Sequence, residues 1–279
     1  MFRKRSFVKF MILRLKLENL IHRLEDVCNE ISDDEMDIFE AHQIARNLLS
    51  RLRLFTSEEI KFRRYGNPGD GGYVLVDDLL TTDNLLSVGI GNDVSFEHDV
   101  SQHLVNIHLY DHTVDSMPTN IESARFFKCG IGPQSSESFC TMKEALLRFE
   151  GTGDYILKMD IESNEWLVLQ NVSDSELRHF RQIVIELHGL DRIRDDANRS
   201  VIFAALDRLN KDHLPVHIHP NNYEKNFSLG SFSLPRVIEV TYLRRDAATL
   251  FEFPGPRGQN LDFPNNPEKP DVPFPRYFT

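Results

Sequence analysis

Between residues 85 and 188 short apolar runs alternate with amphipathic stretches. LLSVGI, NIHLYD, RFFKCGIG, YILKMDI and QIVIELHG are interleaved with helix-patterned segments around 95–103, 141–149 and 164–172, and another follows at 198–211. Apolar strands joined through helices are the signature of a parallel sheet covered on both faces. The rhythm therefore predicts an α/β domain. After the last long helix the pattern changes to LPVHIHPNNY and then LPRVIEVTYLRR, with only a Gly/Ser/Asn-containing connection between them. Two strands without an intervening helix predict an antiparallel pair at the end of the sheet.

At 279 residues, 41% of them hydrophobic and 27% charged, the chain has room for one large α/β domain with an appendage. A formal charge of -11 argues against DNA or RNA as a primary partner, because nucleic-acid binders present a basic face. Cys28, Cys129 and Cys140 are odd in number and widely spaced, so they form neither a disulfide framework nor a zinc knuckle. They read as reduced thiols of a cytoplasmic protein, with Cys129 in a buried strand. No run reaches the roughly 20 apolar residues of a membrane span. The N-terminal apolar stretch is broken by Arg14 and Lys16, unlike a secretory signal.

Three regions are expected: a helical extension over 1–56, the α/β domain over 57–252 and a proline-rich tail over 253–279. In the first, Arg3, Lys4, Arg5, Lys9, Arg14 and Lys16 form a basic arm that can make peripheral contact with an anionic membrane or polymer. Behind it Leu13, Leu17, Leu20, Leu24, Val27 and Ile31 recur at spacings of four and three, a seam that either pairs two copies of the chain or lies on the domain. Residues 33–53 predict a second helix with an acidic start and a basic end. The tail holds seven prolines, and its Phe251, Phe253, Phe263, Phe274, Tyr277 and Phe278 predict docking on the domain.

In LLSVGIGNDVSFEHDV, Gly89 and Gly91 follow a strand and precede a helix, as in nucleotide-binding folds where the backbone turns sharply and a ligand comes close. About 20 residues on, NIHLYDHT ends a second strand at Asp111, where a carboxylate can accept ribose hydroxyls. A dinucleotide would favour a third glycine at the helix start to admit its pyrophosphate. Here VSFEHD places Phe96 and Glu97 there instead. S-adenosylmethionine, a sulfonium cation without phosphate, tolerates those acidic surroundings better than NAD.

These residues, with LKMDIESNEW and IVIELHG at the next two strand ends, resemble class I S-adenosylmethionine-dependent methyltransferases, and within them the FkbM-like group that includes the methyltransferase-like 24 relatives. The resemblance extends to RRYGNPGDGGYVLVDD upstream and to HIHPNNY and PRVIEVTYLRR downstream, covering roughly residues 60–245. The chain keeps Lys158, Asp160, Glu162, Glu165 and Trp166 of the fourth-strand motif but carries Ser163 where that group usually has glycine. The resemblance implies a Rossmann-like seven-stranded, mostly parallel sheet with a terminal antiparallel pair and helices on both faces. It also implies methyl transfer from S-adenosylmethionine to a hydroxyl, often on a sugar or glycosylated product. An NAD-dependent oxidoreductase and a non-catalytic binding module with the same fold are the alternatives.

Donor-binding candidates are Arg64, Asp70, Gly71 and Gly72 in the upstream loop, and Gly89, Gly91, Asn92, Ser95 and Phe96 in the glycine turn. Asp111, His112, Gly130, Ile131, Asp160 and Glu162 complete the set at later strand ends. The upstream loop reads either as a plain hairpin turn or as a flap over the methionine end of the donor, with Arg64 near its carboxylate. For catalysis His188 is the candidate general base, oriented by Asp160 or Glu186. The same Asp160, Glu186 and His188 alternatively surround Mg2+ or another divalent cation. His219, Asn221 and Asn222 are candidates for binding a small-molecule or glycan acceptor.

Overall fold

The computed structural model describes residues 38–150, 153–253 and 260–272. The leucine seam, the basic arm and residues 33–37 of the second expected helix lie outside them, as do Phe274, Tyr277 and Phe278. Among the described residues no helix is long and apolar enough to cross a membrane.

The compact unit His42–Thr279 is entered through helix α1 (Ile38–Arg51). Strand β1 (Phe55–Thr56) precedes a hairpin of β2 (Phe62–Tyr65) and β3 (Tyr73–Val76), whose connecting loop holds GDGG. The α/β rhythm follows in order: β4 (Asn84–Val88), α2 (Ser95–Val100), β5 (Asn106–Tyr110), β6 (Ala124–Phe127), the short pair β7 (Gly130–Ile131) and β8 (Phe139–Cys140), α3 (Met142–Leu147) and β9 (Tyr155–Met159). Then come α4 (Glu165–Asn171), α5 (Asp174–Leu177), β10 (Phe180–Leu187), α6 (Asp196–Asp212) and β11 (His213–Pro220). A small hairpin of β12 (Phe227–Leu229) and β13 (Phe232–Leu234) leads to β14 (Ile238–Arg244), and β15 (Phe251–Glu252) returns to pair with β1.

Seven strands form the central sheet in the order β11-β14-β10-β9-β4-β5-β6. β4, β5, β6, β9 and β10 run parallel, whereas β14 runs antiparallel to both β10 and β11. This is the Rossmann-like, mostly parallel sheet expected from the sequence. The end pair has a topology that local pattern does not specify: β14, the later strand, inserts between β11 and the rest. β4 and β9 are buried at every position, which is why they read as predominantly apolar runs, with Asn84, Ser87 and Lys158 as their buried polar exceptions.

Helix α6 starts on Asp195, whose carboxylate accepts from the Asn198 amide at 2.9 Å. It buries Ile202, Ala205, Leu206 and Leu209, a stripe at helical spacing. The β2–β3 hairpin is fastened to the sheet by the Gln182 carboxamide, which makes both hydrogen bonds with the Val76 backbone at 2.9 Å, and by the Thr241 hydroxyl on the Val74 carbonyl. That anchoring carries the GDGG loop to the carboxyl ends of the parallel strands.

Two local expectations change. Cys129 lies in the bend between β6 and β7 and is half-buried; the RFFKCGIG run breaks there into two strands. The tail docks through polar groups: Phe263 is exposed, as is Phe251 in β15 before it, whereas Asn265 is buried and Asp262 and Asp271 lie against histidines of β11.

Candidate active site

The chain order reverses between β4 and β9, the place where open α/β sheets hold their ligands. A cavity of about 580 Å³ opens there. Twelve of the expected donor positions line it: Asp70 and Gly71 from the hairpin loop, Gly89, Gly91, Asn92 and Phe96 from the glycine turn, Asp111 and His112 after β5, Gly130 and Ile131 in β7, and Asp160 and Glu162 after β9. Gly89 is required sterically, because at φ +76° a Cβ would stand 1.7 Å from the Asp160 carbonyl oxygen.

Arg64, Gly72 and Ser95 are not in the lining. Arg64 donates to the carbonyls of Asn67 at 3.0 Å, Gly69 at 2.5 Å and Leu261 at 3.3 Å, so it braces the loop and the tail and is not part of the cavity lining. Gly72 packs inside the loop, where a Cβ would meet the Asn67 carbonyl at 2.1 Å. Ser95 receives the Asn67 amide at 3.1 Å, and Asp99 receives the Gly66 amide at 2.8 Å. The hairpin is thus both the plain turn and a wall of the cavity.

Asp111 has a different role from the ribose hook expected of it. One carboxylate oxygen accepts from the Ile90 amide at 3.0 Å and the Gly91 amide at 2.9 Å; the other accepts from the Thr113 amide at 2.7 Å and hydroxyl at 2.6 Å. Four donors fill the roughly four lone-pair sites of a carboxylate. A ribose hydroxyl can bind only if one of them lets go. Burial works against ionisation of Asp111, but the Thr113, Gly91 and Ile90 donors outweigh it and hold the carboxyl below its ordinary range.

At the end of β9 the residues EWLVLQN turn back on the motif that precedes them. The Glu165 carboxylate, fully buried, accepts from the amides of Ile161 at 3.1 Å and Ser163 at 3.3 Å and from His188 Nδ1 at 2.9 Å. Trp166 Nε1 donates to the His188 carbonyl at 2.8 Å. His188 Nε2 is left pointing toward Asp160 at 4.0 Å and Glu162 at 3.5 Å. Burial alone would lower the imidazole, but the Glu165 hydrogen bond and the charges of Glu165, Asp160 and Glu162 raise it above its ordinary value.

The expected partnership of Glu186 with His188 gives way to Glu165. Glu186 faces Asn221, whose Nδ2 donates to it at 2.6 Å, and burial together with the charges of Asp160 and Glu239 pushes its carboxyl well up. The metal reading changes in the same way, since among the described residues Asp160, Glu165 and His188 are the side chains whose ligand atoms come within 4.8 Å of one another. One Glu165 oxygen is taken by two amides and the imidazole, which orients the histidine, and its other oxygen is buried with no hydrogen-bond partner among the described residues.

His219, Asn221 and Asn222 do not line the cavity; they hold the chain itself. His219 lies 3.2 Å from Asp271 and 3.5 Å from Glu239. The Asn221 oxygen accepts from the Tyr223 amide at 2.8 Å. Asn222 binds the backbone of Asn266 in both directions, donating at 2.9 Å and accepting at 2.6 Å.

The residues not anticipated are Glu165, Tyr73, Glu97 and Lys158. The Tyr73 hydroxyl donates to Asp160 at 2.9 Å, and burial with the charges of Asp160, Glu186 and Glu239 raises its phenol well above the ordinary range. Lys158 had a sequence signal, a charge inside the apolar YILKM strand. Glu165 had none beyond its place in the motif, because its role depends on a partner in another strand.

No family model and no curated protein matches this chain. Among solved structures, a fibrillarin/Nop5p complex is similar over 59% of this chain and 73% of that one, at 13% identity and a TM-score of 0.38. The N-methyltransferase NodS from Bradyrhizobium japonicum WM9 is similar over 73% and 93%, at 11% identity and a TM-score of 0.35. M. jannaschii TYW2 in complex with AdoMet is similar over 59% and 70%, at 9% identity and a TM-score of 0.31. Likeness this distant transfers no residue role, and the architecture rests on the strand order itself.

Proposed function

We propose that the protein transfers a methyl group from S-adenosylmethionine to a hydroxyl oxygen, with a sugar or glycoconjugate as the acceptor. The observation that carries this reading is the charge of the cavity. Asp70, Asp93, Glu97, Asp111, Asp160 and Glu162 line it, and Lys158 is its one Lys or Arg side chain among the described residues. The amides of Ile90 and Gly91, which a pyrophosphate would need, are already held by Asp111. Asp93 takes the Ser95 amide at the start of α2 at 2.7 Å. A sulfonium and an ammonium suit such walls; the diphosphate of NAD does not.

The transfer is an in-line displacement. An acceptor oxygen attacks the methyl carbon, the carbon–sulfur bond breaks, and its electrons neutralise the sulfonium. The acceptor proton passes to His188 Nε2 while Glu165 fixes the ring through Nδ1 and stabilises the imidazolium. Asp160 and Glu162 accept hydrogen bonds from neighbouring hydroxyls, which favours a polyol over an anionic acceptor. Calorimetric titration with S-adenosylhomocysteine and with NAD is the test. Micromolar binding of the homocysteine product and none of NAD is expected; the reverse result refutes the proposal.

A further inference from the structure

Cys129 and Cys140 flank the short β7–β8 pair, and the transfer chemistry uses neither. Cys140 stands opposite Ile131 in the register, and the Gly130 amide on the Ser138 carbonyl and the Gly132 amide on the Cys140 carbonyl, both at 2.9 Å, fix that alignment. Ile131 follows Cys129 by two residues, so the alternation of a strand puts the two cysteines on one side. There they meet, the Cys129 thiol being a hydrogen-bond partner of Cys140. Both are free thiols, Cys140 buried and Cys129 half-buried. The Arg148 guanidinium closes the group, donating to Cys140 Sγ at 3.8 Å and to the Tyr110 hydroxyl at 3.3 Å.

This arrangement differs from a pair of inert core cysteines. One thiol is open enough to meet a soluble reagent, and the other waits directly behind it beside a cation, the surroundings that favour a thiolate. Burial, the hydrogen bond and charge of Cys129 and the charge of Glu144 push the Cys140 thiol up to about 12, against the pull of Arg148. The two effects that come from Cys129 vanish once its sulfur is tied up in a mixed disulfide, so reaction at Cys129 makes Cys140 easier to ionise. The pair also backs the cavity: Gly130, Ile131 and Phe139 line it, as does Tyr110. Phe139 lies so near Gly130 that a Cβ there would stand 2.6 Å from its ring.

We propose that Cys129 and Cys140 are a reversible dithiol–disulfide centre, oxidised by low-molecular-weight disulfides such as glutathione disulfide. The Cys129 thiolate attacks one sulfur of the oxidant, whose S–S bond breaks and releases one glutathione thiolate. The Cys140 thiolate then attacks the Cys129 sulfur of the mixed disulfide; that bond breaks, the second glutathione leaves, and a Cys129–Cys140 bond joins the strands. The two protein thiols are oxidised, their electrons reduce the oxidant, and their protons end on the two glutathione thiolates. Cys129 is thus the attacking and Cys140 the resolving thiol. None of these steps requires the donor reading above.

The test is incubation of the full-length protein and of its Cys28→Ser variant with glutathione disulfide, followed by acid quenching and peptide mapping by mass spectrometry. With glutathione held about tenfold below the millimolar effective concentration of neighbouring thiols, the Cys129–Cys140 linked peptide is expected to exceed the Cys129–glutathione adduct by about tenfold or more in both proteins. Dithiothreitol should remove it. Cys140→Ser should stop at the mixed disulfide on Cys129. A parent protein that accumulates the glutathione adduct at Cys129, that links Cys28 in place of the pair, or that stays reduced overturns the proposal, whatever the variants do.

Discussion

Ser163 and its neighbour Glu162 hold φ of +79° and +54°, two consecutive non-glycine residues in the left-handed region. That conformation costs an L residue roughly 1–2 kcal/mol. The Ser163 amide donates to Glu165 at 3.3 Å, a bond glycine keeps, and the hydroxyl makes no hydrogen bond among the described residues. Ser163→Gly therefore removes about 1–2 kcal/mol of strain and adds about 0.5–1 kcal/mol of unfolded-chain entropy. The net expectation is a stabilisation of about 0.5–1 kcal/mol. In a domain of this size each kcal/mol moves Tm by roughly 2–4 °C, so the variant should melt about 1–4 °C higher. Scanning calorimetry of the parent, Ser163→Gly and Ser163→Ala decides it. Alanine keeps the strain and should show no gain. A Ser163→Gly protein that melts at or below the parent refutes the reasoning.

Gly89 and Gly91 offer a matched steric contrast: the Cβ of Gly89→Ala would meet a backbone oxygen at 1.7 Å, whereas the space around Gly91 is open. Gly89→Ala should cost more than about 4 kcal/mol and Gly91→Ala about 1 kcal/mol, and similar losses in urea titrations would sink that reading. His188→Ala should lower methyl transfer by roughly 10²–10⁴ while S-adenosylhomocysteine binding stays within a few fold; parental turnover would remove the base assignment. Glu165→Gln removes a charge that raises His188, so the imidazole should titrate at lower pH by NMR; an unmoved titration contradicts the hydrogen bond as the cause. Burial lowers His219, but the hydrogen bond and charge of Glu239 with the charges of Asp262 and Asp271 carry it up to about 9. A raised pKa gives stability that is complete below about 6.5 and lost as pH climbs through 9. Melting between pH 7 and 10 should therefore fall by more in the parent than in His219→Gln, on the order of 2 kcal/mol. Parallel slopes would dismiss the pairing.

Strand type and strand ends were legible because burial on both faces writes itself as predominantly apolar residues, and each such run in YILKMDI and QIVIELHG ends on polar groups at the sheet's ligand edge. The glycine turn was legible because its backbone conformation admits few side chains. Glu165 was not, since a glutamate in the first turn of a helix looks the same whether it faces water or reaches back to an imidazole 23 residues on. Asn221 and Asn222 differ for a related reason: paired asparagines at a strand end can greet a ligand or another stretch of the same chain, and here Glu186 and the Tyr223 amide hold Asn221 while the tail holds Asn222. The Asp111 carboxylate was placed correctly on the cavity wall, but its saturation by four local donors is a matter of ångströms and not of residue type.

The insertion of β14 between β10 and β11 has a consequence for how the molecule comes into being. β11 touches the sheet through β14 alone, yet it is synthesised first. Until Arg244 has left the ribosome, β11 has no neighbour to zip against and the outer flank of β10 stands open. Closure of this side of the sheet waits for β14, and non-local pairing of this kind is slow. A chain stopped before β14 leaves two unprotected edges ready to adhere to other nascent chains.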